Sequence, residues 1–357
     1  MYFYRNGNKK SEIFYKNNTP YMVNFWNREG KQMISQGNGH YKSFYTKQRP
    51  KAEGEYKDSL KHGKWTTWYS NGKKKSEGKY DQGEQVGEWI QWYRTGEKMS
   101  RHNYKSGKNV EWYKNGEKRM LGLLKDGEKE GKWSFWTKEG KLLRMAEYKD
   151  GKYHGMLKEY NDSSELQRKM EFRNGKPHGD AIWYFEDGSV DMTGHFKDSL
   201  QHGQWTYYRT DGKKGNEGYY QNGQMHGKWT WWYKNGTVWK TGYYDQGAKD
   251  SLWQYFYEDS TLFKKGTFEK GAENGIWKTW YQSGQMQYKG KFLYGKMHGL
   301  WQGWHENGNK SYKVEYTRNI NDGKALYWYE NGNKRLEKHY KDSVLHGPYK
   351  TWQENGK

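Results

Sequence analysis

The chain has 357 residues and a formal net charge of +21, and only 32% of its residues are hydrophobic, although 21 Trp, 34 Tyr and 12 Phe make 19% of it aromatic. Few aliphatic residues and a high net charge are typical of disorder, but disordered chains are poor in aromatic residues. Each aromatic ring can bury roughly 150–250 Å², so a thin fold held together by aromatic contacts suits this composition. The absence of Cys excludes disulfides, thiol catalysis and Cys-ligated metals.

Glycines recur with a fixed period along the chain. From Gly63 onward, the first position of each unit follows the last by 24 residues, except for one step of 20 residues between Gly87 and Gly107, and a Ser replaces the glycine at position 251. A strict period of this length indicates a repeat architecture in which neighbouring units stack. We therefore interpret residues 1–357 as one continuous array of about fifteen repeats, irregular over 1–60 and regular over 61–357.

The sequence of each unit predicts two β-strands and two turns. In the unit that begins at Gly63, an aromatic-rich first strand ends at the Asn71-Gly72 turn, and Asn-Gly favours the positive φ angles of tight hairpin turns. The second strand, residues 75–80, alternates charged and uncharged side chains, and a turn at residues 81–83 leads into the next unit. Helical periodicity is absent. The prediction is an all-β fold: an elongated, single-layer antiparallel sheet, or solenoid ribbon, of consecutive β-hairpins.

Aromatic residues fall into columns when the units are aligned. The position four residues before the second turn glycine is aromatic in every unit, and a second column, mostly Tyr and Phe, lies on the second strand. Trp65 and Trp68 are three residues apart, so either a bulge lies between them or both faces of the sheet carry rings. Two positions before the second-strand column, glycine recurs, and its bare backbone lets a neighbouring ring lie flat. These glycines are Gly54, Gly78, Gly122, Gly194, Gly218, Gly242, Gly266 and Gly290.

The repeat G-x-W-x-x-W-Y-x-N-G-x-x-x-x-E-G-x-Y-x-x-G resembles the MORN repeat, specifically the bacterial variant found in YwqK-type antitoxins. The resemblance extends over residues 1–357. It implies β-hairpin repeats that stack into an elongated, often grooved, antiparallel sheet, with roles in scaffolding, protein binding and contact with membrane lipids. The antitoxin relationship implies neutralisation of a toxin by direct binding. The choline-binding repeat of cell-wall proteins is a rival resemblance with a shorter unit.

No catalytic or cofactor motif stands apart from the repeat. The chain has no phosphate-binding Walker loop, dinucleotide fingerprint, nucleophile elbow or zinc-protease motif. His-Gly pairs such as His62-Gly63 recur one repeat apart, roughly 10 Å by strand spacing, whereas the ligands of one metal lie within about 2.1 Å of it. An enzyme needs a unique constellation of groups, and an array offers the same groups repeatedly. We expect no enzymatic activity, no cofactor and no metal site.

The predicted function is a non-enzymatic binding scaffold whose elongated surface recognises a protein partner, because Trp and Tyr are enriched at binding hot spots. The excess of positive charge predicts an acidic partner. The finer forms of this function are antitoxin-like neutralisation of a toxin and assembly of a complex. The candidate residues, for partner binding or for packing alone, are Trp65, Trp68, Trp89, Trp92, Trp112, Trp133, Trp136, Trp205, Trp229, Trp232, Trp253, Trp277, Trp280, Trp301, Trp304, Trp328 and Trp352.

The alternative function is polyanion binding, in which Lys and aromatic side chains hold anionic membrane lipid or nucleic acid. A lesser alternative is binding of cell-wall glycan or choline. Uncapped strand material at an end of the array predicts self-association, or pairing with a partner, through an open sheet edge. No apolar run approaches the roughly 18 residues of a transmembrane helix, and residues 1–7 lack the features of a signal peptide, so we expect a cytoplasmic protein unless a leader has been removed.

Overall fold

The computed structural model describes all residues, 1–357, and contains 31 β-strands and no helix. The predicted all-β fold of antiparallel hairpin repeats is confirmed. In chain order the strands are β1 (Tyr2–Phe3), β2 (Lys9–Lys16), β3 (Thr19–Trp26), β4 (Gln32–Ser35), β5 (Asn38–Thr46), β6 (Arg49–Lys57), β7 (Leu60–Trp68), β8 (Lys74–Asp81), β9 (Glu84–Trp92), β10 (Lys98–Asn103), β11 (Gly107–Trp112), β12 (Lys118–Lys125), β13 (Glu128–Trp136), β14 (Leu142–Lys149), β15 (Lys152–Tyr160), β16 (Leu166–Arg173), β17 (Lys176–Tyr184), β18 (Val190–Lys197), β19 (Leu200–Tyr208), β20 (Lys214–Gln221), β21 (Gln224–Trp232), β22 (Val238–Asp245), β23 (Ala248–Phe256), β24 (Leu262–Glu269), β25 (Ala272–Trp280), β26 (Met286–Leu293), β27 (Lys296–Trp304), β28 (Lys310–Thr317), β29 (Ile320–Trp328), β30 (Lys334–Lys341) and β31 (Val344–Thr351).

The chain divides into two compact units, Met1–Lys176 and Pro177–Lys357. In the first unit, each strand from β1 to β16 pairs with the next strand along the chain, and every pairing is antiparallel. In the second unit, strands β17 to β31 pair in sequence order in the same way. Each unit is therefore an open sheet built by adding one hairpin after another.

Successive strands are joined by two turns of different geometry. Between β8 and β9, Gln82 and Gly83 both have positive φ angles, 46° and 84°, as in the two-residue turns whose twist matches that of paired strands. Between β7 and β8, Gly72 has a φ of 83° but Asn71 is not in the left-handed region. The expectation that the Asn-Gly pair supplies positive φ is therefore right for Gly72 and wrong for Asn71. The Asn71 side-chain amide instead donates to the Arg94 carbonyl of the next hairpin at 2.8 Å. Asn6, Asn115, Asn235, Asn307 and Asn331 make the same contact.

A bulge accompanies each buried tryptophan. In β7, residues 63–65 stand opposite the single residue Gly54 of β6. Gly63 has a φ of 67° in this bulge, a conformation that glycine adopts without steric cost. A bulge leaves backbone groups outside the regular ladder. Here the Glu55 carbonyl accepts a hydrogen bond from Nε1 of Trp65 at 3.0 Å. The indole therefore satisfies a backbone oxygen at the point where the strands are displaced.

Candidate binding surfaces

One face of each sheet, called here the packed face, is closed by tryptophan rings that lie on glycines. A Cβ built on Gly218 would stand 2.1 Å from Cδ2 of Trp229, so the ring fills the space of the missing side chain. The whole glycine column is used in this way, which confirms the prediction that bare backbone receives a ring. The pairs are Gly54 with Trp65, Gly78 with Trp89, Gly122 with Trp133, Gly194 with Trp205, Gly218 with Trp229, Gly242 with Trp253, Gly266 with Trp277 and Gly290 with Trp301, and all of these Trp are buried.

Each buried indole is enclosed by other rings and by lysine. Trp253 meets Tyr244 edge-on, with ring centroids 5.3 Å apart, and stacks on Trp231 at 5.7 Å. Lys249 Nζ lies 4.6 Å from the Trp253 ring centroid, a cation–π distance. Nε1 of Trp253 donates to the Tyr243 carbonyl at 3.1 Å. The buried tryptophans therefore form the core of the sheet, and their surfaces and donors are already occupied.

Where the glycine column is interrupted, the facing residue is smaller than tryptophan. Ala146 pairs with Leu157, and both are buried. Val314 pairs with Ala325 in the same manner. Close packing leaves no room for a ring as large as tryptophan where the facing residue carries a side chain. The positions of Gly and Trp are therefore coupled through packing and not only through turn geometry.

The opposite face, called here the open face, carries the second tryptophan of each first strand. Along β7, Trp65 and Thr67 alternate with Thr66 and Trp68, and a register shift against β8 lies between Thr67 and Trp68. Thr66 Oγ1 donates to Glu77 at 3.3 Å on the open face. Lys74 Nζ contacts the same Glu77 carboxylate at 2.6 Å and lies 5.6 Å from the Trp92 ring, so the open face carries rings as well as the packed face. Both options left open by the spacing of Trp65 and Trp68, a register shift and rings on both faces, are therefore present. The open-face tryptophans are half-buried: Trp68, Trp92, Trp112, Trp136, Trp232, Trp280, Trp304, Trp328 and Trp352.

Lysines lie against many of these open-face rings. Lys214 Nζ is 5.8 Å from the Trp232 ring centroid and 2.7 Å from the Glu217 carboxylate. The hydrogen bond to Glu217 raises the pKa of Lys214. This arrangement places positive charge beside flat aromatic surface once per repeat in much of the chain. The pairs are Lys9 with Trp26, Lys74 with Trp92, Lys214 with Trp232, Lys265 with Trp280, Lys289 with Trp304, Lys310 with Trp328 and Lys334 with Trp352.

Tyrosine hydroxyls join successive hairpins. The Tyr233 hydroxyl donates to the Phe256 carbonyl, 23 residues further along the chain, at 2.8 Å. The bond connects neighbouring repeats at the end of the first strand, where the backbone ladder stops. In two repeats, Arg209 and His305 replace the tyrosine and contact the same carbonyl position. The other tyrosines with this contact are Tyr4, Tyr45, Tyr69, Tyr93, Tyr113, Tyr257, Tyr281 and Tyr329.

A row of exposed side chains crosses the open face of the unit 177–357, with one residue on each strand from β20 to β27. Each of them is adjacent in sequence to a residue of a packed Gly–Trp pair, so alternation along the strand points it to the opposite face. The apolar members are 39% to 61% exposed. We call this set the open-face row: Tyr219, Lys228, Tyr243, Leu252, Thr267, Ile276, Lys291 and Leu300.

The open-face row was not predicted from the sequence, because the candidate residues were those of the aromatic columns. In the unit 1–176, the matching positions are largely charged; Lys132 and Glu147, for example, lie 3.9 Å apart across paired strands. The available signal was the residue directly after the first glycine position of each unit. That residue changes from lysine to Leu252, Ile276 and Leu300 in three successive units.

The histidines of the His-Gly column are distributed along the sheets, and three of them, His62, His178 and His226, contact aspartates at or beside the turns. His62 Nδ1 lies 3.4 Å from the Asp81 carboxylate. The backbone N–H of Asp198 donates to Nδ1 of His178 at 3.4 Å, which ties a turn to the preceding strand. No group of three or more His, Asp or Glu side chains is close enough to hold a metal ion. None of the elements is a helix long and apolar enough to cross a membrane.

Solved structures resemble this chain weakly. The crystal structure of TcdB2-TccC3-Cdc42 is 10% identical with a TM-score of 0.17, and the match covers 91% of this chain and 24% of that chain. The structure of the Photorhabdus luminescens Tc holotoxin pore is 10% identical with a TM-score of 0.17, covering 94% of this chain and 21% of that chain. This chain thus spans less than a quarter of those proteins, and a likeness of this size carries no argument. No curated protein sequence matches the chain.

The family described as the MORN repeat variant matches the chain in eight places. The matched residues are 1–17, 61–82, 129–150, 177–198, 225–246, 273–293, 297–317 and 321–342. Each match coincides with part of the repeat that contains the glycine turns and the strand pair described above. This recurrence and the hairpin fold together support the assignment of the chain as a MORN repeat protein.

Proposed function

We propose that this chain is a non-enzymatic binding scaffold that recognises an acidic protein partner through the open face of the unit 177–357. The observation that carries the proposal is the open-face row, whose apolar members Tyr219, Tyr243, Leu252, Ile276 and Leu300 are all exposed. Exposed apolar side chains gathered on one surface and bordered by polar residues are typical of interaction sites. Across the strands β20 to β27 the row extends roughly 34 Å, the size of a protein interface and not of a small-molecule site.

Charge supports an acidic partner. Lys228 and Lys291 stand within the row and are exposed, and the chain carries a net charge of +21. On the same face, the Lys214–Trp232 pair and its equivalents add cations beside aromatic surface. Rim charges of one sign accelerate association with a partner of opposite charge and make it sensitive to salt. Antitoxin-like neutralisation of a toxin and assembly of a complex are the two finer forms of this proposal.

The buried tryptophans contribute to this function only by holding the sheet. Trp229 and Trp253 are enclosed on the packed face, and their indole N–H groups are used by backbone carbonyls. Any contact with a partner therefore falls to the half-buried tryptophans, such as Trp232 and Trp280, and to the open-face row. This division separates the candidate tryptophans into a core set and a surface set.

Capture from a lysate of source cells, with and without nuclease and at increasing salt, tests the proposal. We expect one protein to be retained in equal amounts with and without nuclease. The variant Ile276→Asp should weaken retention by about 30-fold, because a charge in a desolvated hot spot costs about 2 kcal/mol or more. The matched control is Leu123→Asp, because Leu123 is 45% exposed at the equivalent row position of the unit 1–176. Equal loss in both variants, or no loss in either, would contradict a role for the row.

Polyanion binding is the second candidate function, and the Lys–Trp pairs of the open face favour it. Their ammonium groups suit phosphates, and their rings suit stacking on bases. Several of these lysines, such as Lys74 and Lys214, already contact carboxylates at 2.6 and 2.7 Å, which lowers the charge they offer to an anion. In the capture experiment, polyanion binding predicts that only nucleic acid or lipid is retained and that it leaves at moderate salt.

A further inference from the structure

Residues of the irregular repeats between positions 4 and 51 enclose a cleft. Its lining includes Phe25 of β3, Met33 of the four-residue strand β4 and Tyr41 of β5. The cleft measures about 640 Å³. Small-molecule sites in proteins have volumes of roughly 300–1,000 Å³.

The cleft is strongly basic. Its lining includes five cations and a single carboxylate, Glu29. Only one of the cations, Lys42, has an ion-pair partner, Glu53 at 3.1 Å. The four remaining cations have no carboxylate within 4.0 Å, so their charge is free to act on a ligand. The cations are Lys10, Arg28, Lys42, Lys47 and Lys51.

Aromatic side chains share the cleft with these cations. Phe25 is buried at its base and lies 4.6 Å from Tyr41, measured between ring centroids. Phe44 also lines the cleft and is 38% exposed. Burial and the neighbouring Tyr41 raise the pKa of Tyr4, and the charge of the Arg28 guanidinium opposes that rise. Rings and unpaired cations therefore line the same cavity.

We propose that this cleft binds a nucleoside phosphate. The phosphate would lie among Arg28, Lys47 and Lys51, because a guanidinium and ammonium groups form charge-assisted hydrogen bonds with phosphate oxygens. The base would lie against Phe44, whose ring is 38% exposed, because every nucleobase offers a flat surface for aromatic stacking. The site is distinct from the open-face row, and its occupancy does not depend on the scaffold function.

Isothermal titration calorimetry with the full chain at low salt tests the proposal, with AMP, adenosine and inorganic phosphate as separate probes. We expect one AMP per chain and tighter binding of AMP than of either fragment. Arg28→Gln, Lys47→Gln and Phe44→Ala should each weaken AMP binding by about fivefold or more. Lys47 makes no hydrogen bond or ion pair with its side chain, so Lys47→Gln keeps the test valid if another variant fails to fold.

The matched control is Lys234→Gln, because Lys234 holds the turn position in the unit 177–357 that Arg28 holds here, two residues before the turn glycine. Lys234→Gln should leave AMP binding unchanged. An equal loss in Lys234→Gln would show diffuse attraction by net charge, and AMP binding no tighter than phosphate would remove the ring subsite; either result overturns the proposal. Vesicles that contain phosphatidylinositol phosphate form a third arm. If they bind through Arg28 and Lys47 while AMP does not, the ligand is a lipid headgroup and the proposal fails.

Discussion

The indole ring of Trp229 occupies the space of a Cβ on Gly218, and its Nε1–H donates to the carbonyl of the next residue, Tyr219, at 3.1 Å. The largest side chain thus lies on the smallest residue of the neighbouring strand, and it bonds the backbone that the bulge has displaced. The same combination of glycine, tryptophan ring and indole hydrogen bond recurs in eight repeats. The stability of each sheet therefore depends on pairing the smallest residue with the largest.

Adding one methyl group at Gly218 should disrupt this contact. In Gly218→Ala the new Cβ would stand 2.1 Å from Cδ2 of Trp229, so the ring must move. Overpacking of this kind costs about 1–3 kcal/mol. Urea denaturation monitored by tryptophan fluorescence should show that loss. Gly215→Ala, on the same strand, is the control, because its Cβ would meet its nearest atom at 3.5 Å. Equal loss of stability in the two variants would contradict the packing argument.

A packed-face tryptophan and an open-face tryptophan should differ in their effect on stability. Trp253 is fully buried and donates to the Tyr243 carbonyl, so Trp253→Phe removes both packing and a hydrogen bond. We expect a loss of about 2–4 kcal/mol in the free energy of unfolding. Trp232→Phe, on the open face, should cost less than about 1.5 kcal/mol, because the ring is half-buried. Thermal and urea unfolding of the two variants would measure this, and reversal of the order would refute the assignment of faces.

The tyrosine contact between hairpins should contribute modestly at each repeat. Tyr233→Phe removes the hydroxyl that donates to the Phe256 carbonyl at 2.8 Å. The loss should be about 0.5–1.5 kcal/mol, the usual net value of one hydrogen bond. Tyr219→Phe serves as the control, because the exposed Tyr219 hydroxyl makes no hydrogen bond within the chain. A stability loss in Tyr219→Phe as large as that in Tyr233→Phe would argue against the inter-hairpin bond.

Stability should decline at alkaline pH because of buried tyrosines. Burial, aided by nearby Glu273, raises the pKa of Tyr255 to about 12, and burial likewise raises the pKa of Tyr312 to about 12. The ordinary tyrosine pKa is about 10, so between these values the folded state holds more protons than the unfolded state. The contribution is fully present below about pH 10 and is lost as pH rises towards 12.

Urea denaturation between pH 9 and pH 12 checks this linkage. We expect the free energy of unfolding to fall over that interval in the native sequence. Tyr255→Phe, which cannot ionise, should flatten the fall relative to its own value at pH 9. An unchanged slope in Tyr255→Phe and in Tyr312→Phe would show that these hydroxyls do not carry the alkaline dependence.

The sequence by itself determined the repeat, the hairpins and the role of the glycine column. These features depend only on residues close together in the sequence. The turn at Gln82 and Gly83 requires positive φ angles, and Gly218 must lack a side chain so that Trp229 of the next strand can pack on it. The irregular spacing of residues 1–60 was visible too. The cleft itself was not, because its lining comes from several strands and turns that only folding brings together.

Only the tertiary structure decided which tryptophans are core and which are surface. Trp229 and Trp232 are the same residue type on one strand, and the bulge at Gly227 together with the pairing to Gly218 assigns them to opposite faces. The open-face row also depends on pairing, since Leu252 and Thr267 become partners only when strands β23 and β24 align in register. The face on which a side chain lies, and its neighbours along a row, are set by the register between paired strands, and the sequence of one strand does not specify that register.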